Sequence, residues 1–141
     1  SSGSIACAYA ELIRDIWTVK NDQISPFEFK KVFSKFKVEF SGFGQHDAQE
    51  FITTLVDCLH EDTNQVKKKP VVEEADYDNK EDSVASKLGL DNYAKRNKSY
   101  ISSLMLGQYK SVVHCPTESC KRVAVTFDTF MLVTLPIPQP F

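Results

Sequence analysis

The sequence predicts an α+β chain with its helices first and its strands second. Three observations carry this. Apolar residues recur at helical spacing in three successive segments before Gln65. After Gly107 the apolar period shortens to two, the spacing of a half-buried strand. Between these halves lies an acidic, polar stretch, residues 71–82, with no period of its own.

Each element follows from local pattern. Ile5, Tyr9, Leu12, Ile13, Ile16 and Trp17 mark a first amphipathic helix ending near Val19. Asn21-Asp22 is a turn signal. Ser25-Pro26-Phe27-Glu28 reads as a capping box with proline at the first helical position. It opens a second helix with Phe29, Val32, Phe33 and Phe36 on one face. Ser41-Gly42-Phe43-Gly44 breaks that pattern. A third helix, about 47–65, turns Phe51, Ile52, Leu55, Val56 and Leu59 inward and is predicted to be the most buried. Lys67-Lys68-Lys69-Pro70 stops it, and the lysines suit the negative end of the helix dipole.

The segment 71–82 reads as an exposed loop. A fourth helical segment covers about 83–106, with a break near Asn97. Residues 108–114 and 122–127 are predicted as antiparallel neighbours joined by the turn from Cys115 to Cys120. Residues 131–135 read as a third strand. Pro136, Pro138 and Pro140 then end regular structure. Ser1-Ser2-Gly3-Ser4 reads as a linker or expression scar, leaving a single domain over 5–141.

Composition narrows the function classes. A chain of 141 residues has room for one domain, and 42% hydrophobic content can build a core. A net charge of -2 gives no global attraction for nucleic acid or anionic lipid, so neither nucleic acid nor a membrane is an expected partner. No apolar run approaches a membrane span, and no signal peptide is visible. Four cysteines over this length do not make a disulfide framework. Cys7 and Cys58 fall in helical patterns, where a free thiol acts as a small hydrophobe. Cys115 and Cys120 read as half a metal site in a reducing compartment, which places the protein inside the cell.

The densest chemistry lies in Gly42-Phe43-Gly44-Gln45-His46-Asp47-Ala48-Gln49-Glu50, running into Phe51. Asp47 and Glu50 share one face of the third helix at its start. Free N–H groups and the positive dipole end sit there too. Two readings stand: a helix cap with acidic support, or a place where a basic partner is read. His46 and His60 carry imidazoles, but a general base needs a nucleophile within hydrogen-bond reach. His60 reads as packed or bonded at the end of the third helix. The cluster Lys67-Lys68-Lys69 reads as a solvated helix end.

Gln45-His46-Asp47-Ala48-Gln49-Glu50-Phe51, followed by Leu59-His60-Glu61-Asp62 and Asn64, resembles a characteristic box of the ubiquitin-specific proteases. A second block agrees: Gly107-Gln108-Tyr109-Lys110-Ser111, Cys115-Pro116, Cys120, Val125-Thr126-Phe127-Asp128 and Leu135-Pro136 are similar to the start of that family's zinc-bearing fingers. The resemblance covers about 5–138. It implies part of a papain-like catalytic domain, with a helical thumb over 5–106 and the first fingers and palm strands over 107–141. It further implies a thiol peptidase that cleaves after the terminal Gly of ubiquitin. Asp47, Glu50 and Gln45 would then be substrate-binding residues: the acidic pair would receive ubiquitin's arginine-bearing tail, and Gln45 would supply an amide beside the reacting carbonyl or hold the catalytic loop. Cys115 and Cys120 would be the first half of a zinc site, the second ligand pair lying outside this chain.

Departures from the family pattern are equally specific. No Gly-Asn-Thr-Cys box surrounds Cys7, which stands in Ser4-Ile5-Ala6-Cys7-Ala8-Tyr9. The catalytic Cys, His and Asp or Asn are expected outside this chain, and the chain alone is expected to be inactive. The remainder of the same catalytic domain is then a partner, beside ubiquitin or ubiquitinated proteins. Gly44 stands where the box often has Gln, and four residues separate Cys115 from Cys120 in place of two. Two other functions are compatible with these residues. One is a catalytically inactive family member serving as a ubiquitin-binding scaffold. The other is a helical adaptor with a zinc knuckle.

Overall fold

A computed structural model describes residues 2–18, 23–73 and 75–138. It contains five α-helices followed by a two-stranded antiparallel sheet, the α+β order that the sequence predicts. The helices are α1 (Ser4–Thr18), α2 (Phe27–Phe36), α3 (Ala48–Thr63), α4 (Asp82–Ala94) and α5 (Tyr100–Met105). A 3-10 turn, Val38–Phe40, follows α2. The strands are β1 (Gly107–His114) and β2 (Val123–Phe130). Val19, the turn at Asn21-Asp22 and Pro140 lie outside the described residues. The chain divides into two compact units, Ser1–Asn64 with Ser99–Ile101, and Gln65–Lys98 with Ser102–Phe141.

The first unit is built on aromatic packing. Ile5, Phe29, Phe33, Phe40 and Leu59 form its buried core, with Tyr9, Leu12, Leu55 and Phe51 packed against it. Phe33 stacks with Phe29 at 5.6 Å and meets Phe51 edge-on at 5.4 Å, while Phe40 meets Phe51 at 5.7 Å. These offset and edge geometries suit the ring quadrupoles. They tie α2, the 3-10 turn and the first turn of α3 into one block.

The caps differ from the sequence reading. Pro26 sits at the N-cap of α2, and no side chain caps that end. Ser25 therefore stands one residue outside the helix and cannot close a capping box. Glu28 pairs instead with Lys31 at 3.5 Å, on the solvated surface. Phe36 and Ile52 were expected inward but are exposed, Ile52 because one residue past Phe51 is about 100° round the helix. Within α3, Leu59 and His60 are fully buried, and no other helix buries more residues.

Sequence periodicity missed the cap of α1. Asp62, near the end of α3, accepts the backbone N–H groups of Ile5 at 3.0 Å and Ala6 at 3.1 Å through the same oxygen. A carboxylate at a helix N-terminus satisfies orphan donors and opposes the positive dipole end. Asp62→Ala in the full-length protein should cost ~1–3 kcal/mol, because two charge-assisted bonds are lost at once. An unfolding midpoint in denaturant equal to wild type would contradict this.

In the second unit α4 lies against β2. Ala85 and Gly89, one turn apart, are buried and permit that approach. A Cβ at Gly89 would stand 2.9 Å from Nε2 of Gln108. Tyr77 packs on Phe127 at 5.6 Å, and the Lys110 ammonium meets Asp82 at 2.7 Å. The strand register runs from Gly107 opposite Phe130 to His114 opposite Val123. The Phe130 ring covers Gly107 and stacks on Tyr109 at 4.1 Å.

The third strand expected over 131–135 does not form. Gly107 is the first residue of β1 and already pairs with Phe130, so β1 offers Met131 no partner. Among the described residues the sheet keeps two strands. Residues 71–73 and 75–81 lack regular structure, as expected for that loop, but Asp82, expected at its end, already begins α4; the predicted helical break near Asn97 separates α4 from α5.

Candidate functional site

Asp47 occupies the N-cap of α3 in extended backbone geometry, φ -67 and ψ 128. Its Oδ1 accepts the Gln49 N–H at 2.7 Å, and its carbonyl accepts the Phe51 N–H at 3.0 Å. The sequence places a small Ala48 first in the helix and an acid, Glu50, in the first turn. Both choices favour a helix beginning here. The capping reading is therefore correct for Asp47, yet it employs only one carboxylate oxygen. The Glu50 carboxylate has no hydrogen bond or ion pair among the described residues. Gln45, His46, Asp47 and Glu50 are all exposed.

The two carboxylates line one depression of about 280 Å³ together with Gln49, Thr53 and Thr54. On the other side of Asp47 opens a groove of about 380 Å³ walled by Phe29, Phe33, Phe40 and Phe51. His46 and Asp47 form part of its rim. The His46 ring lies 5.1 Å from Phe40. The loop before the site is pinned: Lys30 donates to the Gly42 carbonyl and sits 4.8 Å from the centre of the exposed Phe43 ring. Gly42, at φ +82, makes the turn there. The result is a negative ledge on a helix N-terminus beside an apolar trough. Such a surface can accept an extended basic peptide through charge-assisted bonds. Sequence reading found the ledge but not the trough; the clustering of Phe29, Phe33, Phe40 and Phe51 was the available signal.

The other chemistry-bearing residues separate clearly. His60 is buried, and its Nδ1 lies 2.7 Å from the Ser99 hydroxyl. It is a packed, bonded histidine, as its position predicts. Cys58 is half-buried, and burial pushes its thiol up from the ordinary range. Cys7 is exposed, so the small-hydrophobe reading applies to Cys58 and not to Cys7. His114 lies exposed on β1.

Cys115 and Cys120 both stand in the turn between β1 and β2. The Cys115 N–H donates to the Arg122 carbonyl at 2.9 Å, and the Cys120 N–H donates to the Thr117 carbonyl at 2.9 Å. The polar surroundings of the turn, the Thr117 backbone first and then the Cys120 and Thr117 side chains, hold the Cys115 thiol below its usual range. Thiolates are zinc's preferred donors, and two at one turn are half a tetrahedral set. Among the described residues no three His, Cys, Asp or Glu side chains gather to complete it. No helix among them is long and apolar enough to cross a membrane.

Comparison with known proteins agrees with both blocks. The family described as ubiquitin carboxyl-terminal hydrolase matches residues 1–136. Ubiquitin carboxyl-terminal hydrolase 8 of Arabidopsis thaliana is 43% identical over 136 residues, 96% of this chain and 15% of that protein. Ubiquitin carboxyl-terminal hydrolase 15 of Homo sapiens is 41% identical over 137 residues, 97% of this chain and 14% of that protein. Ubiquitin carboxyl-terminal hydrolase 4 of Rattus norvegicus is 43% identical over 136 residues. The chain thus spans 14–15% of the length of these relatives.

Proposed function

Because this chain belongs to the ubiquitin carboxyl-terminal hydrolase family, we propose that the full-length protein is a thiol peptidase acting on ubiquitin. It hydrolyses the peptide or isopeptide bond after ubiquitin's terminal Gly. The observation that carries the chain's part in this is the exposed Asp47–Glu50 ledge on the N-terminus of α3. A tail rich in arginine would lay its guanidinium groups on these carboxylates and its backbone N–H groups on the remaining oxygens. Gln45, exposed two residues before Asp47, would offer its amide near the reacting carbonyl or hold the catalytic loop. The reaction follows thiol chemistry: a cysteine elsewhere in the full protein attacks the Gly carbonyl carbon. A histidine takes the thiol proton and returns it to the leaving amine, and water then releases the acyl group.

Cys115 and Cys120 would supply two of four zinc ligands. Zinc there is structural: it would fix the hairpin turn and bear on how ubiquitin's body is held. A reduced thiol pair is consistent with an intracellular site of action.

This chain by itself should be inactive, because neither Cys7 nor Cys58 stands in a nucleophile motif. The check is hydrolysis of a fluorogenic ubiquitin C-terminal amide. Turnover is expected from the full-length protein and none from the 141-residue chain. Turnover by the chain that disappears in Cys7→Ser would overturn the assignment. Ubiquitin binding without turnover by the full-length protein would make it a scaffold.

A further inference from the structure

The lysine run after α3 does not stand alone. Residues 65–70 run beside residues 95–98, the turn that follows α4. Two hydrogen bonds tie them. The Gln65 N–H donates to the Lys98 carbonyl at 2.8 Å, and Arg96 Nη1 donates to the Pro70 carbonyl at 2.9 Å. This brings Lys67, Lys68 and Lys69 into one neighbourhood with Lys95, Arg96 and Lys98, all of them exposed. They are six of the chain's 17 Lys and Arg residues, and neither stretch contains Asp or Glu, so a local positive field stands on a chain of net charge -2. A helix C-terminus carries about half a negative charge, so the ends of α3 and α4 do not account for six cations. Lys67 and Lys68 make no ion pair among the described residues, and Lys95 donates to the neutral Asn92 side-chain oxygen at 2.7 Å.

Beside these cations opens a depression of about 390 Å³. Val71, Val72 and Leu88 give it an apolar wall, and Lys95 is part of its lining. We propose that this surface docks an acidic peptide segment of a partner protein, with one apolar side chain seated in the depression. Carboxylates of the peptide meet Lys67, Lys68 and Lys95 in charge-assisted bonds. The apolar side chain leaves water against Val72 and Leu88. A peptide fits this surface better than other polyanions do. Glu73 lines the depression, and Asp76 and Asp78 follow in the same loop. A long nucleic acid or a flat anionic membrane would set phosphates against these carboxylates, and like charges brought together are costly. A short segment can end before them, and a side chain can enter a concavity that a flat surface cannot. No residue of the Asp47–Glu50 ledge takes part, so the docking stands or falls apart from the reading of ubiquitin's tail.

Fluorescence anisotropy on the full-length protein tests this. The probe is a labelled peptide, Glu-Asp-Glu-Leu-Asp-Glu-Asp. The wild type should bind it, and more weakly as salt is raised. Lys67→Glu combined with Lys95→Glu takes one residue from each basic stretch. It should weaken binding about tenfold or more, because reversal sets like charges together. Lys68→Glu alone should weaken it in the same direction. Lys35→Glu combined with Lys80→Glu makes the same change in charge at exposed positions outside the two stretches, and should leave binding within about twofold of wild type. All these lysines are exposed, so the variants should keep the wild-type melting temperature. A probe with Ser in place of Leu should bind more weakly. No binding by the wild type, equal losses in the two double variants, or equal affinity for the Leu and Ser probes would overturn the proposal. So would a single-stranded oligonucleotide or a phosphatidylserine vesicle that binds tighter than the peptide and is lost with Lys67 and Lys95.

Discussion

Asp47→Asn in the full-length protein should lower ubiquitin cleavage while leaving its melting temperature near wild type. Asn caps a helix as well as Asp does, so the bond to Gln49 survives. What is lost is the charge and the second acceptor oxygen. An exposed ion pair is worth about 0–1 kcal/mol, and one partner of a buried charge pair ~2–5 kcal/mol. Asp47 is exposed in this chain, but a peptide laid over it and the adjoining trough would exclude water from part of the contact. An intermediate loss of ~1–3 kcal/mol follows, about 5- to 150-fold in kcat/KM. Glu50, with no partner among the described residues, should give a smaller loss of the same kind as Glu50→Gln. Equal cleavage beside equal stability would leave Asp47 as a cap alone.

The second large effect concerns the hairpin turn. Replacing Cys115 and Cys120 together by Ser should abolish zinc retention by the full-length protein at that site. Serine offers no thiolate, and a site with two of four ligands removed does not hold the ion. Because structural zinc contributes folding energy directly, the hairpin should open to proteolysis between Lys110 and Phe130. Cleavage should weaken through KM more than kcat, since this turn acts on binding. Metal analysis that finds no zinc in the reduced wild type, or the same zinc in the variant, would contradict this.

Much of the fold was legible because its signals are local. Apolar spacing marked the starts of α1 and α2 within a residue or two and both ends of α3 within two, and the alternation at Val123, Val125 and Phe127 marked β2. What failed depended on backbone direction or on partners distant in sequence. Ser25 looked like a cap, but only chain direction at Pro26 decides where α2 begins. Residues 131–135 look like a strand, yet β1 runs out of pairing residues at Gly107. Asp62 caps α1 across 56 and 57 positions, which no periodicity reveals. The site divides in the same way. The acidic pair could be read from Gln45-His46-Asp47 and Glu50. The trough beside it exists only because α2 and the 3-10 turn fold their phenylalanines against Phe51.

The claim that joins these results is that the Asp47 ledge meets the basic tail of ubiquitin. A double-mutant cycle tests it most directly. Cleavage by the full-length wild type and by Asp47→Asn is measured on ubiquitin substrates with native tail arginines and with those arginines replaced by Gln. If the two groups meet, the changes are not additive: Asp47→Asn should cost most on the native tail and almost nothing on the neutral one. Equal losses on both tails would mean that Asp47 acts elsewhere, and the ledge would not be the site where ubiquitin's tail is read.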